Sequence, residues 1–398
     1  MITQLPARLA RCRRRGGARA AIVAMVAMVA TAAMAPCSAV LAQASLSVQG
    51  FGFPTGQFSA RAQGSAGAVG EMDPMSPVNP ASIAVFPSRI LFFQLEPEYR
   101  TVTTSKGTDR TTTARYPVVF GAMPVGAGVV MSLSASTLLD RTSTTTFSTL
   151  QTLAGGDTVT MMTTDHIDGA MDDIRLAAAW TPISWLRVGV GAHAITGHNL
   201  VDLTNSFADS ARFAPFTQSR VLGFSGGAAS AGFEILTSTI SLAASARLGG
   251  TLHMSSQDTV LTSARVPNRF GASFAYTGIA NSAIAVRTSR EDWSALGGLG
   301  TAGLRGVNAW DTSVGADVQG PQIGGRAVFL RAGYRTRTLP FQADNQTVTE
   351  NSFSGGLGTA FANGRVMTDL ALIHATRKAD IAATEHAWTI SLGISVRP

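Results

Sequence analysis

The strongest constraint on this chain is the unbroken alternation of its last segment. Between Ala387 and Val396, Trp388, Ile390, Leu392, Ile394 and Val396 are bulky and apolar, while Thr389, Ser391, Gly393 and Ser395 are small or polar. A period of two places the bulky set on one face of a β-strand and the light set on the other. The pattern recurs in "IRLAAAW" (174–180), "LRVGVGAHA" (186–194), "TISLAASARL" (239–248), "RFGASFAY" (269–276) and "VFLRAGYR" (328–335). In these stretches the charged residue, usually arginine, falls on the light face. A soluble sandwich buries its bulky face in a dry core and turns polar residues to water. A transmembrane β-barrel turns the bulky face to lipid and lines its lumen with the polar one. The light face here is Gly, Ala, Ser and Thr with scattered Arg, which suits a crowded lumen, so the expectation is an all-β transmembrane antiparallel barrel.

About fourteen such segments fit between residues 89 and 397, an even number, as bacterial barrels require. They fall near 89–106, 110–122, 125–139, 170–181, 185–197, 215–233, 238–250, 266–277, 282–290, 307–318, 326–338, 350–361, 365–377 and 386–397. Connections after even segments are brief, such as "MPV", "PIS" and "ANGR". Those after odd segments include 140–169, 198–214, 251–265, 291–306, 339–349 and 378–385. Short periplasmic turns opposite long extracellular loops mark an outer-membrane barrel.

The start of the chain agrees with export. "RLARCRRRGGARA" is basic, and the apolar run after it ends in Ala42-Gln43-Ala44. These are the parts of a cleaved secretory signal, so residues 1–44 are expected to be removed after Ala44 or Ala42. The run is almost long enough for an uncleaved anchor, and a lipoprotein signal at Cys37 is disfavoured by Pro36 before it. Six of the 31 basic residues and both cysteines, Cys12 and Cys37, lie in that segment, which holds no acid. The remainder carries 25 basic against 24 acidic residues, so the high calculated pI gives no reason to expect nucleic-acid binding. It also has no disulfide framework and no thiolate chemistry.

Residues 45–88 lack the strand pattern and are dense in Gly and Pro. Within "ARAQGSAGAVGEMDPMSPVNPASIA" come Arg61, Gly64, Gly67, then Asp73-Pro74, then Asn79-Pro80-Ala81. Here the chain resembles the FadL-type family of outer-membrane proteins (long-chain fatty acid transport and PorV-like relatives), which show these elements in this order. A weaker likeness follows in "ENSFSGGLGTAFANGRVMTDLAL" and the final "SLGISV". Two departures are Val78, where the family has an aromatic residue, and the terminal Arg397-Pro398 in place of a final aromatic. The resemblance implies a fourteen-stranded barrel (89–398) closed by an N-terminal hatch (45–88) inside the lumen, admitting hydrophobic molecules such as long-chain fatty acids. PorV-type relatives share the outline and serve secretion without needing to transport, so a non-transporting envelope scaffold is the alternative.

The residues support a plug on their own terms. A lumen of fourteen strands is too wide for wall side chains to fill and conducts water unless blocked. Gly-rich chain can fold compactly inside it. Asn79 can bond its own backbone and Pro80 fixes φ, which makes a rigid corner before the first strand. Phe51, Phe53, Phe58, Val85 and Phe86 call for burial, which argues against a disordered tail.

Among inward-facing charges, Arg187, Arg247, Arg269 and Arg331 are the candidates to anchor a polar ligand head, although pairing with lumen acids is the simpler role for most of them. No enzyme is expected: His193 and His198 lie near abundant serines, but no motif selects a nucleophile. "TTDHIDGAMDD" gathers Asp165, His166, Asp168, Asp172 and Asp173 without an EF-hand pattern, so a solvated acidic loop is expected there and no metal. "GLGTAG" (298–303) has no helix after it and is no nucleotide fingerprint. No cofactor is expected. The partners expected are outer-membrane lipids, the barrel-assembly machinery and a hydrophobic small molecule, in the outer membrane of a Gram-negative-type envelope.

Overall fold

The computed structural model describes residues 45–398 apart from 49, 105–106, 153–157, 210, 258, 300–305, 324 and 381–382. The expected signal segment, 1–44, lies outside the described residues. Among the described residues, fourteen antiparallel strands form one closed sheet. They are β1 (Ile90–Thr104), β2 (Gly107–Arg115 and Val118–Gly126), β3 (Val129–Asp140 and Ser143–Thr152), β4 (Thr158–Ile183), β5 (Leu186–Phe207), β6 (Phe216–Leu236) and β7 (Ile240–Ser256). Then follow β8 (Thr259–Arg265 and Arg269–Tyr276), β9 (Ser282–Asp292), β10 (Asn308–Ile323), β11 (Arg326–Thr338), β12 (Thr349–Phe361), β13 (Val366–Lys378) and β14 (Ala383–Val396). Closure comes from β14 on β1, with Trp388 opposite Tyr99 and Val396 opposite Leu91. β2 and β8 are interrupted at Pro117 and Pro267, where proline lacks the ladder donor.

Burial is inverted relative to a soluble protein. Trp388 is 48% exposed, while Arg377 on the adjoining strand is 1% exposed. Large exposed residues such as Phe93, Leu133, Leu176, Leu242, Phe274 and Ile390 form the outer face, and the buried set is rich in Arg, Glu, Asp and Ser. The bulky face of the alternation therefore points outward, as a lipid-facing wall requires.

The loop expectations need one correction. Residues 140–169, 198–214 and 251–265 are largely strand: Ser143–Thr152 pairs with β4 from Ile167 down to Thr158, β5 runs on to Phe207, and Thr259–Arg265 pairs with β7. These stretches are rich in Thr and other β-branched residues, which favour strand backbone. Beyond the lipid both faces meet water, so the apolar/polar alternation that marks strands fades while the pairing continues. The acidic run 165–173 accordingly lies along β4, with alternate residues on opposite faces rather than gathered in a loop. Asp172 accepts from Thr137 at 3.0 Å and Asp173 turns inward.

Residues 45–88 lie against the inner faces of strands from around the whole sheet. Ser45 and Ser47 bond Glu385 of β14, Gln63 bonds Glu96 of β1, Glu71 meets Arg269 of β8, and Arg61 meets Asp317 of β10. The segment contains a five-residue helix, α1 (Ala60–Gly64), and a 3-10 turn, Pro80–Val85. At the short-turn end, Met75, Ile83 and Phe86 pack on Ile90, Phe92 and Phe120.

Candidate functional site

The lumen divides into a charged middle and an apolar upper end. In the middle, Glu98 accepts from Arg100 (2.5 Å), Arg115 (2.9 Å) and Arg377 (3.0 Å), and Glu350 from Arg337 and Arg377 (both 2.6 Å). Phe53 inserts into this lattice, its ring centroid 4.4 Å from the Arg377 guanidinium and 4.7 Å from that of Arg337. Phe58 stands likewise 4.6 Å from Arg287 and 5.0 Å from Arg335. Cation–π contact gives these phenyl rings a favourable place among charges, so two residues of the N-terminal segment seat in a polar lumen.

The hatch residues expected from the sequence sit as follows. Arg61, on α1, reaches Asp317 at 3.3 Å. Gly64 stands so near β12 that a Cβ there would lie 3.1 Å from the Gly356 Cα, and Gly67 takes φ +84° beneath the Phe58 ring. Asp73 accepts from the hydroxyls of Ser59 and Ser76 at 2.6 Å each, and Ser59 Oγ in turn accepts from the Ala62 amide to cap α1. Pro74 follows in a partly buried turn. Asn79 is wholly buried: its Nδ2 donates to the carbonyls of Glu71 (2.8 Å) and Phe233 on β6 (3.3 Å), and its Oδ1 accepts from the Ala81 amide (3.0 Å). Pro80 opens the 3-10 turn and packs over Gly189, where a Cβ would collide with its backbone; Ala81 is fully buried.

The sequence did not single out Glu71, the residue that joins this segment to the wall most directly. Its carboxylate accepts from Arg269, from Arg287 (3.4 Å) and from the Ser245 hydroxyl (2.6 Å). Burial alone would raise its pKa, but the Arg269 and Arg287 charges outweigh that and hold it below the usual glutamate value. The signal available was Glu71 as one of only two acids in residues 45–88, set against a wall of inward arginines.

All four arginines named as ligand anchors have carboxylate partners in place. Arg187 binds Glu234 at 2.8 Å, Arg269 binds Glu71 and lies 3.4 Å from Glu291, and Arg331 spans Asp317 (3.1 Å) and Asp369 (2.7 Å). Arg247 lies 3.5 Å from Asp173 and keeps two guanidinium nitrogens without a hydrogen-bond partner among the described residues. The four stand on β5, β7, β8 and β11 and do not converge on one point.

Toward the long-loop end the lumen turns apolar. Phe51 packs with Leu138, Leu139, Met171, Ile195, Phe224 and Leu252 from β3 to β7, and with Trp293, Leu296 and Phe341 from the loops. Two cavities inside the lumen are small. One of about 70 Å³ lies between Phe53, Phe58, Glu96, Arg335 and Arg377. The other, of about 20 Å³, lies between Gln57, Val78, Asp173, His193 and Arg247.

No protein-family profile matches the sequence, and no curated protein is similar to it at the sequence level. Solved structures are similar in fold. A Pseudomonas aeruginosa FadL homologue is 14% identical with a TM-score of 0.61, over 87% of this chain and 99% of that one. The Pseudomonas putida toluene transporter TodX is 11% identical with a TM-score of 0.57, over 87% and 98%. The CymD monoaromatic hydrocarbon channel is 14% identical with a TM-score of 0.53, over 86% and 97%. Likeness at these identities rests on architecture: the chain has the fold of the FadL-type β-barrels.

Proposed function

We propose that this barrel is a passive channel for hydrophobic small molecules across the outer membrane. The observation that carries the reading is the apolar cluster around Phe51 at the long-loop end of the lumen. A barrel that conducts water and ions lines its lumen with polar residues. An apolar receiving end over a charged, plugged middle instead suits a solute that leaves water before it moves further in. Solved structures of the same fold bear the names of a toluene transporter and a monoaromatic hydrocarbon channel, which supports a hydrophobic cargo. Residues 45–88 serve as the plug, and long-chain fatty acids and small aromatics are the cargo classes to compare.

The smallness of the two lumen cavities favours a second reading, a non-transporting scaffold of the PorV kind, because a ligand of either class needs more room than they provide. Uptake separates the two. A deletion strain complemented with this chain should take up labelled toluene or oleate faster than the strain carrying an empty vector. Equal uptake of both solutes would remove the channel reading and leave the scaffold.

A further inference from the structure

Asp173, His193 and Ser230 stand on three neighbouring strands, β4, β5 and β6, with their side chains buried in the lumen. His193 Nδ1 lies 2.8 and 2.9 Å from the two Asp173 carboxylate oxygens, and Nε2 lies 2.8 Å from Ser230 Oγ. When Nδ1–H donates to Asp173, the Nε2 lone pair faces the serine and accepts its proton. That is the relation of nucleophile, base and orienting carboxylate, which is recognised by geometry on any fold.

Two further features set this trio apart from the ion pairs around it. Gly191 stands directly across from Ser230. A Cβ on Gly191 would lie 2.6 Å from Ser230 Oγ and 3.4 Å from Arg175 Cδ, so the missing side chain is what lets the hydroxyl and the arginine stem share one place. Arg175 is fully buried, and none of its three guanidinium nitrogens has a hydrogen-bond partner among the described residues. Arg175 stands across from His193 on the sheet, and a buried cation with free N–H groups in that neighbourhood is what a developing oxyanion calls on.

We propose that Asp173, His193 and Ser230 form an ester-cleaving site at the floor of the apolar cluster. The substrate class is an ester with an apolar acyl chain. Ile195, two residues beyond His193 on the same strand, belongs to the cluster that would receive such a chain. Ser230 Oγ attacks the ester carbonyl carbon while its proton passes to His193 Nε2, and the carbonyl oxygen takes up negative charge facing Arg175. The bond to the alcohol oxygen then breaks, and the alcohol leaves with the proton from His193. Water attacks the acyl-serine and gives a proton to His193; the acid departs as Ser230 recovers that proton. The cavity of about 20 Å³ bordered by Asp173, His193 and Val78 has room for a water beside His193.

The test uses the full chain, purified in detergent and shown to be folded by heat-modifiable migration. It is treated with diisopropyl fluorophosphate, a small serine-directed probe, and assayed with p-nitrophenyl butyrate. The adduct should map to Ser230, and Ser230→Ala should lose both the adduct and the esterase activity while keeping folded migration. His193→Gln can still donate to Asp173 and accept from Ser230 but is no base, so a purely structural role would leave reactivity unmoved. The proposal expects a fall of about 10²- to 10⁴-fold. A folded wild-type chain with no adduct on Ser230, or a His193→Gln chain that reacts at the wild-type rate, would overturn it.

Discussion

Replacing Glu71 by Gln removes one negative charge from a point where two guanidiniums converge, and the contacts set the size of the effect. Glu71 is wholly buried and accepts from Arg269, Arg287 and Ser245. Removing one member of a buried ion pair costs about 3–5 kcal/mol, because the partner is left uncompensated. Here Arg287 keeps Asp311 at 2.9 Å and Ser289 at 2.6 Å, and Arg269 keeps Glu291 at 3.4 Å. Those remaining partners put the loss at the low end, about 3 kcal/mol, or roughly 10²-fold in the equilibrium that detaches the segment. The barrel wall makes its own ladder hydrogen bonds and should keep its folded migration. Conductance steps in a planar bilayer should become about 10²-fold more frequent, and protease should cut within residues 45–88. Acid should act through the same group. Its folded-state pKa lies below the ordinary value of about 4.3, so its stabilisation is complete above that value and is lost as pH falls through the folded-state value. Wild-type closure should therefore weaken below about pH 4, and the variant should lose the part of that dependence that Glu71 carries. A Glu71→Gln barrel as quiet and as protease-resistant as wild type would refute this account of how the segment is held.

Three further expectations follow from the same geometry. Asn79→Ala loses side-chain bonds to the Glu71 and Phe233 carbonyls and to the Ala81 amide; it should cost about 1–2 kcal/mol and change hydrophobic uptake more than assembly, as compared by uptake rate and folded yield. Leu242→Arg places a charge on the lipid face and should cost about 2–4 kcal/mol in refolding into vesicles. Ser241→Arg, on the opposite face of the same strand, should be far milder, and equal tolerance would contradict the strand register. Deleting residues 45–80 with residues 1–44 kept should leave an assembled barrel that passes small hydrophilic solutes in a liposome swelling assay; an impermeable barrel would mean the segment is no plug.

What could be read from the sequence depends on whether the cause is local. The alternation at Trp388–Val396 reports the side each residue faces, and lipid outside with polar lumen inside supplies the contrast that makes it visible. Where the contrast ends the signal ends, so the Thr-rich extension Ser143–Thr152 reads as a loop although it is paired strand. Asn79-Pro80 was legible because its cap and corner are built from neighbours two residues apart. Pairing is different in kind. Arg331 meets Asp369 two strands away on β13, and Arg377 meets Glu98 across the closure of the sheet. Those partnerships are set by how far each strand slides along the next, and no strand's own pattern contains that offset. His193 and the abundant serines were visible in the sequence, but Ser230 could not be chosen among them. The side each faces is written in the period of two, whereas the 2.8 Å contact between His193 and Ser230 comes from the register of β5 on β6. That register sets Gly191, and not a residue with a side chain, across from the serine.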